Sequence, residues 1–247
     1  SFEYIDVVWH KAYQRITSQS VCLHANYEVC VNTEEPIQTA HNMRLFRRAR
    51  TEEMSVKFHT GISADIEAIS ALFKTVKYDQ LSIHLSSTVN LIPALIANRD
   101  LKNTHIYMNF LCTATNRDVK QTREMLLQLP KMDRFKLEWN IQFGSVRTRI
   151  LDDSTLLHLA SCANYAELPQ GEFTARGILK AFEVVSKSPV PKNIRFTVTN
   201  TGPILADLFE IADDNYIEQN SRLIHRHNNA ELMGINGQMV MRQFSTN

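Results

Sequence analysis

His225 and His227 stand two residues apart, and on a strand that spacing puts both imidazoles on one face. A third ligand would complete a metal site there. Their neighbours Arg222 and Arg226 point instead to a solvated basic strand, and no metal is expected. Cys162 follows His158 by four residues, close enough around a helix end for a thiol and a base to meet. No orienting third group accompanies them. Asp152–Asp153 and Asp213–Asp214 are paired carboxylates of the kind that do acid–base work when burial splits their pKa values. Each pair lies at a turn beside an expected helix, where capping accounts for Asp without chemistry. The densest basic cluster is Arg44, Arg47, Arg48 and Arg50, with Phe46 among them. Such a cluster could hold RNA phosphates and stack a base, or it could protect a sheet edge by charge.

Motifs that need glycine or fixed ligand spacing are missing. There is no GxGxxG, no GxxxxGK[ST], no GxSxG and no HExxH. Glycine itself is scarce, at 7 of 247 residues, which disfavours phosphate-cradling loops. The expectation is a binding module without enzymatic activity and without a cofactor. The formal net charge is +1, so no overall field draws the chain to nucleic acid or to an anionic membrane. No apolar run approaches the roughly 20 residues of a membrane-spanning helix. Cys22, Cys30, Cys112 and Cys162 form no CxxC pair and read as buried thiols in a reducing compartment, cytoplasmic or nuclear. A bridge between Cys22 and Cys30 stays open. The chain begins at Ser1 without Met, which suggests a processed chain or a piece of a longer one.

The elements that must carry these residues fall into two textures. Residues 1–53 read as a β-rich opening or capping segment, with strands expected at Phe2–Val8, Asn26–Val31 and Met43–Phe46. Residues 54–247 alternate strand and helix and are expected to form one continuous domain with that segment. Strands are expected at Met54–His59, Leu81–Leu85, Thr104–Phe110, Phe135–Trp139, Tyr165–Leu168 and Ile194–Val198. Helices are expected at Ala64–Val76, Thr88–Ala97, Asn116–Leu129, Asp153–Ala160, Thr174–Val185 and Ile204–Ile211. A terminal hairpin should pair Ser221–His227 with Gln238–Phe244 across Gly234 and Gly237.

The strand starts recur at intervals of about 23 to 31 residues, the range of solenoid repeats. Val56-Lys57-Phe58, Leu81-Ser82-Ile83, Phe135-Lys136-Leu137 and Ile194-Arg195-Phe196 each read apolar–polar–apolar. A parallel sheet buried on both faces would show near-continuous apolar runs instead. The fold expected is therefore α/β: a leucine-rich-repeat-like solenoid with a one-sided, mostly parallel sheet and helices on the other side. Its solvated face should carry Lys57, Ser82, His84, Tyr107, Asn109, Lys136, Glu138, Arg195 and Thr197. Trp9 and Trp139 read as core or capping aromatics.

Leu151-Asp-Asp-Ser-Thr-Leu-Leu-His-Leu-Ala160, Tyr165-Ala-Glu-Leu168, Val184-Val-Ser-Lys-Ser188 and Arg222-Leu-Ile-His-Arg-His227 together resemble the F-box-associated domain of the large nematode F-box families, the FTH type and its relatives. The resemblance runs from about residue 20 to 245 and rests on loose apolar patterns. It implies a domain that recruits a target protein to a cullin-type ubiquitin ligase. Ser1–Thr17 is shorter than an F-box, so a Skp-type adaptor would be bound only through an upstream segment. The resemblance carries over no site residues. The alternatives are a module for RNA or for an RNA-binding protein, and an enzyme of unrecognised type.

Overall fold

The computed structural model describes residues 2–9, 26–31, 50–58, 77–85, 103–110, 116–141, 150–199 and 201–244. In chain order these form β1 (Phe2–Trp9), β2 (Asn26–Val31), β3 (Arg50–Phe58), β4 (Lys77–Leu85), β5 (Asn103–Phe110), α1 (Asn116–Leu126), β6 (Met132–Ile141), α2 (Asp153–Cys162), β7 (Ala163–Gln170), α3 (Ala175–Ser186), β8 (Asn193–Thr197), α4 (Thr201–Ile211), β9 (Tyr216–Gln219), β10 (Arg222–His225), β11 (Ala230–Ile235) and β12 (Gln238–Gln243). The fold is α/β, as expected. The strand expected at Met43–Phe46 and the helices expected at Ala64–Val76 and Thr88–Ala97 lie outside the described residues.

The chain divides into two compact units. The first is Ser1–Thr113 with Glu138–Gln142; the second is Ala114–Leu137 with Phe143–Asn247. In the first unit the strand order is β2-β1-β3-β4-β5, followed by the last residues of β6. The pairings from β2 to β5 are parallel. Their register aligns Val29, Val7, Val56, Ile83 and Ile106 in a single row. A slip of one residue between β4 and β5 would turn Ile83 or Ile106 to the opposite face, so burial fixes the register of that pair. Leu81, Ile83 and Ile106 are fully buried.

In the second unit the order is β6-β7-β8-β12-β11-β10-β9. β6, β7 and β8 are parallel and consecutive; β12 to β9 are antiparallel. Register places Phe135, Ala166, Ile194, Met241, Leu232 and Leu223 in one row. All six are buried, against the apolar stripes of the helices. On α3 the stripe is Ile178, Ala181, Phe182 and Val185, at the spacing of one helical face. The Phe173 ring meets Phe196 edge-on at 5.2 Å. α4 lies so close to β11 that a Cβ on Gly234 would strike Thr201 and Leu205.

Caps fix where these helices begin. Asp152 accepts from the Thr155 amide at 3.0 Å and its own amide donates to the Thr155 hydroxyl at 2.8 Å, a reciprocal cap on α2. Asp153 takes no part in it. Its carboxylate accepts from the Thr174 amide and hydroxyl at 2.8 and 2.6 Å, tying the start of α2 to the start of α3. Thr174 in turn caps α3 at the Gly177 amide. A Cβ on Gly177 would overlap the Asp153 carboxyl, so the link requires glycine there.

The chain's end differs from the expected hairpin. β10 pairs with β9 and β11, and β12 pairs with β11 and β8. Two tight turns build this four-stranded meander. Asn236 and Gly237 have φ of 49° and 80°, and Asn220 and Ser221 have 52° and 58°. Two residues at positive φ make the turn whose twist suits a hairpin. Gly234 therefore lies within β11, not in a loop.

Candidate functional site

Helices cover one face of the second unit's sheet. The opposite face is set out by register in two rows. One runs Arg134, Tyr165, Asn193, Arg242, Glu231; the other runs Lys136, Glu167, Arg195, Val240, Met233, Arg222. Arg134, Arg195 and Arg222 are exposed, and Lys136, Tyr165, Glu167 and Arg242 are half-buried.

Two contact sets organise this face. Glu231 is buried and receives Arg222 at 3.1 Å and Arg242 on its other oxygen. The Arg242 guanidinium also lies 5.1 Å from the Phe244 ring centre, and its Nη2 donates to the Met233 sulfur at 4.0 Å. The second set centres on Tyr165. The guanidinium carbons of Arg134 and Arg195 lie 5.4 and 5.8 Å from its ring centre. The Tyr165 hydroxyl donates to Glu167 at 3.2 Å. Burial first, and the Glu167 charge second, raise the Tyr165 pKa, so the phenol stays neutral and keeps donating.

The nine positions expected on the solvated face divide between the units. Lys136, Arg195 and Thr197 belong to the second, where all three reach solvent and Lys136 and Arg195 flank Glu167 in register. Lys57, Ser82, His84, Tyr107, Asn109 and Glu138 belong to the first. There Lys57, His84 and Tyr107 are consecutive in register. Glu138 meets His105 at 3.1 Å. Ser82 departs from expectation: it is 3% exposed, and Gln80, two residues back on the same face, donates to its hydroxyl at 3.4 Å. Of the basic cluster, Arg50 begins β3 opposite Lys77, and Arg44, Arg47 and Arg48 lie outside the described residues.

The expected face omitted Arg134, Tyr165, Glu167, Arg222, Glu231 and Arg242. Tyr165 and Glu167 were legible, since they alternate with Ala166 and Leu168 through β7. The pairing of Arg222 with Arg242 around Glu231 was not, because it depends on the β10–β11–β12 register.

The other chemistry candidates separate. His158 turns its imidazole to the Leu129 carbonyl at 3.1 Å. Cys162 is buried, and burial pushes its thiol up to about 11, leaving no thiolate near neutral pH. Asp213 accepts from the Asn215 amide and side chain, a turn contact. His225 is buried and His227 exposed; the His225 Nδ1 accepts from the amides of His227 and Asn228, each at 3.2 Å. Among the described residues no group of three His, Cys, Asp or Glu side chains converges on a metal position. A groove of ≈ 490 Å³ beside α3 mixes Arg176, Lys180 and Lys187 with Glu183 and Asp213, so it offers no single sign of charge. Among the described residues no helix is long and apolar enough to cross a membrane. No family model, curated protein or solved structure matches the chain.

Proposed function

We propose that this chain is a protein-recognition module, and that it serves in the cytosol or nucleus as the target-recruiting domain of an F-box-type ubiquitin-ligase subunit. The observation that carries the recognition reading is the polar face of the second unit's sheet. Consecutive parallel strands present Lys136, Tyr165, Arg195 and Thr197 there, while the helices pack on the other face. Parallel neighbours in sequence order, joined by helices on one side, also support the leucine-rich-repeat-like reading. The ligase role rests on the family resemblance in Leu151–Ala160 and the segments that follow it.

The test is co-purification of the tagged natural full-length protein from its own cells. A Skp-type adaptor and a further protein are expected together. Substituting Asn193→Trp with Thr197→Trp puts bulk on the polar face without altering its charge. That variant should keep the adaptor and release the further protein. Absence of an adaptor would refute the ligase role; retention of the further protein by a folded variant would refute recognition through this face.

A further inference from the structure

The polar face of the second unit is unequal in charge. Its two rows hold five cations, Arg134, Lys136, Arg195, Arg222 and Arg242, against two carboxylates, Glu167 and Glu231. Glu231 already holds Arg222 and Arg242, and Glu167 holds the Tyr165 hydroxyl. Arg134 and Arg195 are left without an ion pair among the described residues, yet both are anchored against one aromatic ring. Arg195 is steadied further by the Asn193 side-chain oxygen, which accepts from its Nε at 3.4 Å.

We propose that Arg134 and Arg195, set about Tyr165, form a two-point receptor for an acidic, extended segment of a partner protein. This rests on the reading of the face as a protein-recognition surface and names the chemistry of what it takes. Both guanidinium carbons lie within 6 Å of the ring centre, so their separation is bounded by the sum of the two distances, about 11 Å. An extended chain advances about 3.3 Å per residue and turns successive side chains to opposite faces, so carboxylates two positions apart share a face about 7 Å from one another, within that bound. A segment with that spacing can meet both cations. Guanidinium forks suit carboxylates, and stacking on the ring has already removed much of the freedom that binding would otherwise cost. The face suits a polypeptide better than a nucleic acid. Glu167 stands between Lys136 and Arg195 in register, and a continuous run of phosphates would be forced against it.

The experiment measures fluorescence anisotropy of labelled deca-glutamate with the 247-residue chain, beside deca-glutamine, deca-lysine and deca-uridylate. Deca-glutamate should bind, more weakly as salt rises; deca-glutamine and deca-lysine should not. Arg134→Glu with Arg195→Glu should weaken that binding at least tenfold. Arg176→Glu with Lys180→Glu makes the same change of charge on α3 and should weaken it less than twofold. Tyr165→Phe should keep the affinity and Tyr165→Ala reduce it severalfold, with circular dichroism confirming that each variant folds. The proposal is overturned if deca-glutamate does not bind, if the α3 variant loses as much as the face variant, or if deca-uridylate binds as tightly through the same arginines. If it is overturned while the tryptophan pair still releases the co-purified protein, recognition by this face stands and only the acidic class of partner is lost.

Discussion

Lys192 is 6% exposed, an unusual place for an amine. Its Nζ donates to the carbonyls of Ala163 at 2.6 Å and Ser161 at 3.3 Å, where α2 runs out into β7. A cation there satisfies carbonyls the helix end leaves open and opposes the helix dipole. Burial lowers its pKa, the cost of that placement. Lys192→Met keeps the stem and removes the donor, leaving a buried carbonyl unsatisfied. The expected loss is about 1–3 kcal/mol, read from urea unfolding. His225 makes a second prediction, in pH. Burial, with His227 and Lys187 beside it, lowers the imidazole below its ordinary 6.5 against the opposing pull of Asp213 and Glu183. The Tyr216 ring packs edge-on against it at 5.2 Å, and Tyr216 is itself pushed up to about 12, chiefly by burial. The unfolded chain protonates this imidazole near pH 6.5, the folded chain only at lower pH. The stabilisation is therefore present above 6.5 and is lost as pH falls through the lowered folded value. Urea midpoints between pH 8 and 5 should drop more in the native chain than in His225→Asn, and equal drops would refute this assignment.

At the scale of elements, the β9–β10 turn places Ser221 at φ 58°, where an L side chain crowds its own backbone. Ser221→Gly should raise stability by about 1 kcal/mol, seen as a higher melting temperature. The same meander shows where sequence reading fails. The strands of the parallel region were legible because apolar and polar residues alternate: Thr104–Phe110 and Ile194–Val198 match observed strands to within a residue at each end, and Leu81–Leu85 falls within β4, which begins four residues earlier at Lys77. Likewise the Asp152–Asp153 pair announced α2 through its capping chemistry. Within the terminal region Met233-Gly234-Ile235 looked like a break, since glycine usually marks one. Here Gly234 marks close packing by α4 instead, and Asn236-Gly237 supplies the turn. The polar face was half legible for the same reason. Alternation tells which residues share a face, but not that Ser82 is buried or that two arginines share Glu231.

For the whole molecule, the division into two units has an optical consequence. The chain has two tryptophans, and both Trp9 and Trp139 belong to the first unit. Tryptophan fluorescence therefore reports that unit, while hydrogen exchange in α2 and α3 reports the second. Phe196 is fully buried, packed edge-on by Phe173, and lies in the second unit. Phe196→Ala should cost about 3–5 kcal/mol through lost burial and the cavity it leaves. Each unit has its own buried apolar residues, Leu81, Ile83 and Ile106 in one and the row Phe135–Ala166–Ile194–Met241 in the other. The loss should fall on the unit that contains the cavity. Exchange in α2 and α3 is then expected to accelerate strongly, while the fluorescence midpoint in urea moves much less. β6 supplies Met132–Leu137 to one unit and Glu138–Ile141 to the other. Equal shifts of both probes would mean that the chain unfolds as one cooperative body, and would overturn the separation.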